Sequence, residues 1–287
     1  MKDNPPFAFF GTPYVARDTL AALIAAGHTP SVVVTSPDAP RGRGLEMTAS
    51  ETKVLAGAHG VPVLAPASLD AAFIEELRAY GCAYAIVVAY GKLLPQALID
   101  AFPLGVLNIH YSLLPKYRGA SPVEAALLAG EAETGVTIQR MVLKMDAGDI
   151  LARRAVPIGK EETSRELRSR LITAGAELLI ETLPAFISGT APRIPQDEAQ
   201  ATFARKIAKE EGLLSLTDGA EANWRKYRAY YESPGTFFYA QKDGKRIRVK
   251  VSKASFEDGI FTIERVIPES KSEQDYSLLL KSGWVAE

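Results

Sequence analysis

Residues 7–35 constrain the fold more than any other stretch. Phe7-Ala8-Phe9-Phe10 is an apolar run stopped by Gly11-Thr12-Pro13. A helical pattern follows from Val15 to Ala26, with Leu20, Leu23 and Ile24 on one face and Gly27 as its stop. Ser31–Thr35 (Ser-Val-Val-Val-Thr) reads as a second strand. Strand, turn, helix and strand in so short a span form a βαβ unit, so the two strands lie parallel in one sheet. The turn is Gly-Thr-Pro-Tyr-Val, with proline at 13 where a dinucleotide fingerprint needs the glycine that admits pyrophosphate. The expectation is a Rossmann-like α/β sheet without a nicotinamide site.

Ala83–Tyr90 is almost continuously apolar, as a central strand buried on both faces should be, and it ends at Gly91. Ligands of open α/β sheets gather at such strand ends. The next strand, Gly105–Ile109, delivers Asn108 and His110, which are two residues apart and so share one face. An amide and an imidazole side by side supply a hydrogen-bond donor and a group that exchanges protons near neutral pH. Ser112-Leu113-Leu114-Pro115 then turns the chain, and Asp146-Ala147-Gly148-Asp149 forms a second polar knot beginning 38 residues after Asn108. Gathered in one pocket, Asn108, His110 and Asp146 would stabilise an oxyanion and move a proton. Left apart, they are polar residues at a sheet end. The chain has no Gly-x-Ser-x-Gly elbow and no second cysteine beside Cys82. A substrate's own nucleophile would therefore attack directly.

Downstream, Ser121-Pro122 opens a helix through about Ala129, and Thr163–Ile187 is a long helix with capping-box spacing at Thr163 and Glu166. Ser188–Asp197 is rich in turn formers. The expected division is residues 1–188 as a catalytic domain, 189–204 as a linker and 205–287 as a small β-barrel with one leading helix. Residues 1–204 carry 18 basic and 21 acidic side chains, whereas 205–253 carry 12 and 6. Such a basic segment suits a polyanion-binding appendage, or is simply a solvated surface. Ser36–Leu45 holds two prolines, two glycines, Arg41 and Arg43, too many breakers for a regular element. It is either a mobile surface loop or a flexible finger that reaches into phosphate or a nucleic-acid groove. A lone cysteine permits no intrachain disulfide or cysteine-based metal cluster, and no metal is expected. No apolar run is long enough to span a bilayer and no secretory leader is visible, so a cytoplasmic protein with no membrane partner is expected. A monomer is the expected state, though nothing in the sequence fixes it.

Three motifs together resemble those of the 10-formyltetrahydrofolate-dependent formyltransferases. They are Val87-Val88-Ala89-Tyr90-Gly91, Asn108-Ile109-His110-Tyr111-Ser112-Leu113-Leu114-Pro115-Lys116-Tyr117-Arg118-Gly119 and Asp146-Ala147-Gly148-Asp149. Pro37–Gly44, and Gln196–Glu198 through Phe203–Gly212, are similar to segments of the members that act on methionyl-tRNA. The resemblance spans nearly the whole chain. It implies a Rossmann-like domain followed by an OB-like β-barrel, with Asn108, His110 and Asp146 catalytic. Val88, Ala89, Tyr90 and Gly91, with Ser112, Leu113, Leu114 and Pro115, would bind the folate of the donor, 10-formyltetrahydrofolate. Arg41, Arg43, Lys206, Lys245, Arg246, Arg248 and Lys250 would bind initiator methionyl-tRNA. The sequence departs from the family pattern at Tyr111, at Lys116-Tyr117 and at Tyr230–Gly235, which lacks an Asn-Pro-Trp-Pro entry to the barrel. A sugar-nucleotide N-formyltransferase and a non-catalytic RNA-binding relative are the competing expectations.

Overall fold

A computed structural model describes residues 5–41, 46–217 and 219–287, with Arg41 described by its backbone alone. The main sheet has seven strands in the order Ile150–Pro157, Glu133–Arg140, Gly105–His110, Tyr84–Val88, Phe7–Gly11, Val32–Val34 and Val63–Leu64. The last five of these run parallel, and Glu133–Arg140 is antiparallel to Gly105–His110. Every residue of Phe7–Gly11, Val32–Val34 and Tyr84–Val88 is buried, which is why these strands read as unbroken apolar runs. The Rossmann-like expectation is met.

Alternation sorts these strands onto two faces. Ala8, Phe10, Val32, Val34, Ala85 and Val87 share one face, and pack with Phe73, Ile74 and Leu77 of helix Ala71–Arg78 and with Leu98 and Ile99. Phe9, Val33 and Ile86 are fully buried on the other. Each such side chain contributes on the order of 1.5–3 kcal/mol by leaving water. Strand Phe7–Gly11 has its chain successor on one side and Tyr84–Val88 on the other. The strand order therefore reverses between these two, and a crevice opens at their carboxyl ends.

Helix starts follow local chemistry. The Ser50 hydroxyl accepts from Lys53 N at 3.1 Å, and Asp70 accepts from Phe73 N at 3.1 Å. Pro122 occupies the first helical turn as expected, but the Ser121 side chain makes no cap bond. The segment expected to be irregular is partly ordered. Ala39–Arg41 pairs antiparallel with Glu46–Thr48, in register Ala39↔Thr48, Pro40↔Met47 and Arg41↔Glu46. An isolated two-stranded ladder has only edge strands, where proline's missing N–H is tolerated. Lys53 holds its base by an ion pair with Asp38 at 2.8 Å.

The chain gathers into two compact units. One holds residues up to Arg118 with Gly135–Val156 and Arg170–Thr202; the other holds Gly119–Thr134, Pro157–Ser169 and Phe203–Glu287. The second unit thus draws two segments from within residues 1–188, and linker residues 189–202 fold with the first. The second unit carries a five-stranded antiparallel sheet in the order Gln274–Asp275, Ile260–Pro268, Lys245–Glu257, Thr236–Lys242 and Val285–Ala286. Helix Ala220–Ala229 buries Trp224 and Tyr227 with Phe238, Val249 and Val251 of this sheet. The two long hairpins turn at Asp243-Gly244 and Asp258-Gly259, all four residues in the left-handed region that two-residue hairpins require.

Candidate active site

The site is built on the carboxyl end of Gly105–His110, beside the crevice. Asn108 and His110 face the same side of this strand. Opposite them on the antiparallel neighbour stand Gln139 and Thr137, in register Asn108↔Gln139 and His110↔Thr137. His110 is buried, and its Nε2 lies 2.8 Å from the Tyr117 carbonyl oxygen. A carbonyl can only accept, so Nε2 carries the hydrogen and Nδ1 is the nitrogen left to take or release a proton. Nδ1 faces Asp146 Oδ1 at 3.6 Å, and the same oxygen accepts from Gln139 Nε2 at 2.9 Å. The structure therefore brings His110 and Asp146 together. The Asn108 amide is half-buried and makes no hydrogen bond among the described residues, so it can donate to a ligand.

The backbone around the site is held in unusual conformations. Among the described residues six non-glycine positions have positive φ, and Asp243, Asp258 and Ser270 are ordinary turn residues. The other three are Ala89 (φ 46°), Tyr117 (φ 59°) and Asp146 (φ 50°). Such geometry costs of order 1–3 kcal/mol per residue and persists only where neighbours enforce it. All three belong to the motifs of the site. At Asp146, the following Gly148 is enforced by contact, since a Cβ there would overlap the Arg140 carbonyl oxygen.

The expected folate-binding residues divide by which part of each is accessible. Ala89 and Gly91 (φ 80°) are exposed, whereas Val88 and Tyr90 are buried. The Tyr90 ring meets Phe10 edge-on at 5.4 Å, and burial pushes its phenol up to about 12. The turn is thus exposed at Ala89 and Gly91 and anchored in the core by the Tyr90 ring. Ser112 and Leu114 are likewise fully buried. The Ser112 hydroxyl donates to the Lys116 carbonyl at 2.6 Å, and Thr137 Oγ1 bridges Ser112 O at 2.6 Å and Leu114 N at 3.1 Å. Leu113 and Pro115 are partly exposed.

In the second unit the strand Lys245–Glu257 alternates, with Ile247, Val249 and Val251 inward and Lys245, Arg246, Arg248 and Lys250 exposed. The Arg246 guanidinium lies 3.8 Å from the Tyr239 ring centroid and that of Arg248 3.7 Å from Phe237. Lys206 is exposed. Arg43 lies outside the described residues, and for Arg41 only the strand pairing is described.

Residues 6–183 match the formyl transferase family and residues 206–277 match its C-terminal domain. The methionyl-tRNA formyltransferase of Phenylobacterium zucineum is 42% identical over 252 residues, 88% of this chain and 82% of that protein. The chain belongs to the methionyl-tRNA formyltransferase family. The family member from Moorella thermoacetica is 39% identical over 260 residues, 90% of this chain and 83% of its own. Among solved structures, an N-formyltransferase from Helicobacter canadensis, in complex with folinic acid and dTDP-3-aminofucose, has a TM-score of 0.66 at 17% identity, covering 88% of each chain. A glycinamide ribonucleotide transformylase from Symbiobacterium toebii has a TM-score of 0.57 at 24% identity, covering 68% of this chain and 95% of its own. These two share the fold.

Gln139, Gln196 and the Tyr117 carbonyl are site components that sequence reasoning passed over. Thr137 and Gln139, polar yet buried on one face of a strand whose Val136 and Ile138 face the other way, lie directly opposite His110 and Asn108. A backbone carbonyl carries no sequence signal.

Proposed function

We propose that this chain transfers a formyl group from 10-formyltetrahydrofolate to the α-amine of initiator methionyl-tRNA, in the cytoplasm and as a monomer. Family membership supports the reaction class. The observation that carries the site assignment is His110, with Nε2 pinned on Tyr117 O and Nδ1 turned to Asp146. The donor's part is a formyl carbon bonded to a nitrogen that can leave. Asn108 donates its amide hydrogen to the formyl oxygen as the amine adds and that oxygen gains charge. Such a donor is typically worth roughly 2.7–4 kcal/mol in the transition state. His110, protonated at Nδ1 as well as at Nε2, supports the same charge, and Asp146 holds the ring and helps take the amine proton. The C–N bond to N10 of the folate then breaks, and the proton taken from the amine is delivered to that nitrogen.

The exposed Ala89 and Gly91, with Val88 and Tyr90 shaping their turn, and the Ser112–Pro115 turn hold the pterin, with Ser112 and Leu114 serving through main chain and by shaping the turn. Arg41, Arg43, Lys206, Lys245, Arg246, Arg248 and Lys250 contact the tRNA, with residues 1–188 acting as the catalytic part and 205–287 as the tRNA-binding part. The purified protein should formylate charged initiator methionyl-tRNA, and deletion of Ala39–Gly44 should abolish this while leaving folate binding. Activity on a nucleotide-linked amino sugar, with none on methionyl-tRNA, would overturn the reading.

A further inference from the structure

One side chain from the linker touches the Asp146 turn directly. Gln196 Nε2 donates to the carbonyl oxygens of Asp146 at 2.8 Å and Gly148 at 2.7 Å. Its Oε1 accepts from Arg118 Nε at 3.0 Å and Nη2 at 2.8 Å. Both ends of the amide are thus fixed, and its orientation is set because the guanidinium can only donate. Arg118 is fully buried and also donates to Glu198, Nη1 to Oε2 at 3.2 Å and Nη2 to Oε1 at 3.0 Å. Lys144 joins the same carboxylate at 2.7 Å. The turn so gripped is the one whose first residue sits at φ 50°. Two of its carbonyls converge on one NH2 group.

We propose that Gln196 is a positioning residue for formyl transfer. Its amide, oriented by Arg118, clamps the Asp146–Gly148 turn and so keeps the Asp146 carboxylate opposite His110 Nδ1. The inference rests on the reading that Asp146 takes part in the chemistry. It also gives the linker a role beyond tethering, because a residue expected to lead into the C-terminal domain completes the catalytic turn.

Gln196→Glu keeps the size and the Arg118 contact but turns an acceptor toward the two carbonyls; Gln196→Met removes both polar ends. Misplacing a catalytic group by about 1 Å costs on the order of 100-fold. The expected result, in single-turnover transfer from 10-formyltetrahydrofolate to charged initiator tRNA, is a fall in rate of about 10- to 100-fold for both variants. The KM for the formyl donor should move far less. In an Asp146→Asn background the same substitutions should add less than about twofold, because the clamped group has already lost its function. A general packing role would instead lower the rate by the same factor in both backgrounds, and that result overturns the proposal. So does wild-type turnover of both variants while Asp146→Asn is impaired. Wild-type turnover of Asp146→Asn would overturn the underlying site assignment instead. Should Gln196→Met fail to fold, Gln196→Glu decides.

Discussion

Nε2 of His110 lies 2.8 Å from the carbonyl oxygen of Tyr117, seven residues further along the chain. That contact is made by backbone, and the chain reaches it because Tyr117 adopts φ 59°. It reserves Nδ1 for chemistry and leaves Asp146 as the neighbour of the working nitrogen.

If the Tyr117 carbonyl rather than its ring serves His110, Tyr117→Gly should keep turnover within a few-fold of wild type. Glycine removes the left-handed penalty and adds backbone entropy to the unfolded chain, each worth roughly 1 kcal/mol with opposite sign. The urea midpoint should move little. A large fall in kcat at an unchanged midpoint would show that the ring itself contributes.

Asn108→Ala should lower kcat by about 100- to 1,000-fold, the usual effect of removing one oxyanion donor. Since the amide makes no hydrogen bond among the described residues, folded stability should barely change. Comparable losses in stability and rate would argue for a structural role.

Arg118 first, and Lys144 second, hold the Glu198 carboxyl down at about 2. A carboxyl depressed on folding stabilises the protein above its unfolded value near 4.5, and this contribution is lost as pH falls toward about 2. Glu198→Gln should therefore be less stable than wild type at pH 7, and the difference should shrink through that acid window. Glu198 is about half exposed, so added salt should also shrink it. Urea titrations at several pH values check this, and a gap that widens on acidification contradicts it.

Arg246 and Arg248 sit over the rings of Tyr239 and Phe237, which restrains each guanidinium. If they meet phosphate, replacing either by glutamine should weaken tRNA binding and reduce the slope of log K against log salt by about one. An unchanged slope removes that arginine from the interface.

Much of the fold was legible because a few strong rules act locally. Buried parallel strands must be apolar throughout, which marked Phe7–Phe10 and Ala83–Tyr90. The approach of His110 to Asp146 depends on pairing between strands distant in sequence, so it was readable only through family resemblance. Ala89 and Tyr117 gave no warning of positive φ, because neither residue type favours it and tertiary contacts impose it. Gln196 read as a linker residue because its partners lie 48 to 78 positions away. The antiparallel Ala39–Arg41 and Glu46–Thr48 ladder was missed because breaker composition outweighed its pairing.

The most direct test is single-turnover formyl transfer to the α-amine of charged initiator methionyl-tRNA, comparing wild type with Asp146→Asn. The wild-type protein should formylate the amine, and the variant should be slower by about 100-fold or more with its thermal midpoint retained. A wild type that leaves the amine unformylated, or a variant that matches its rate, would contradict the account.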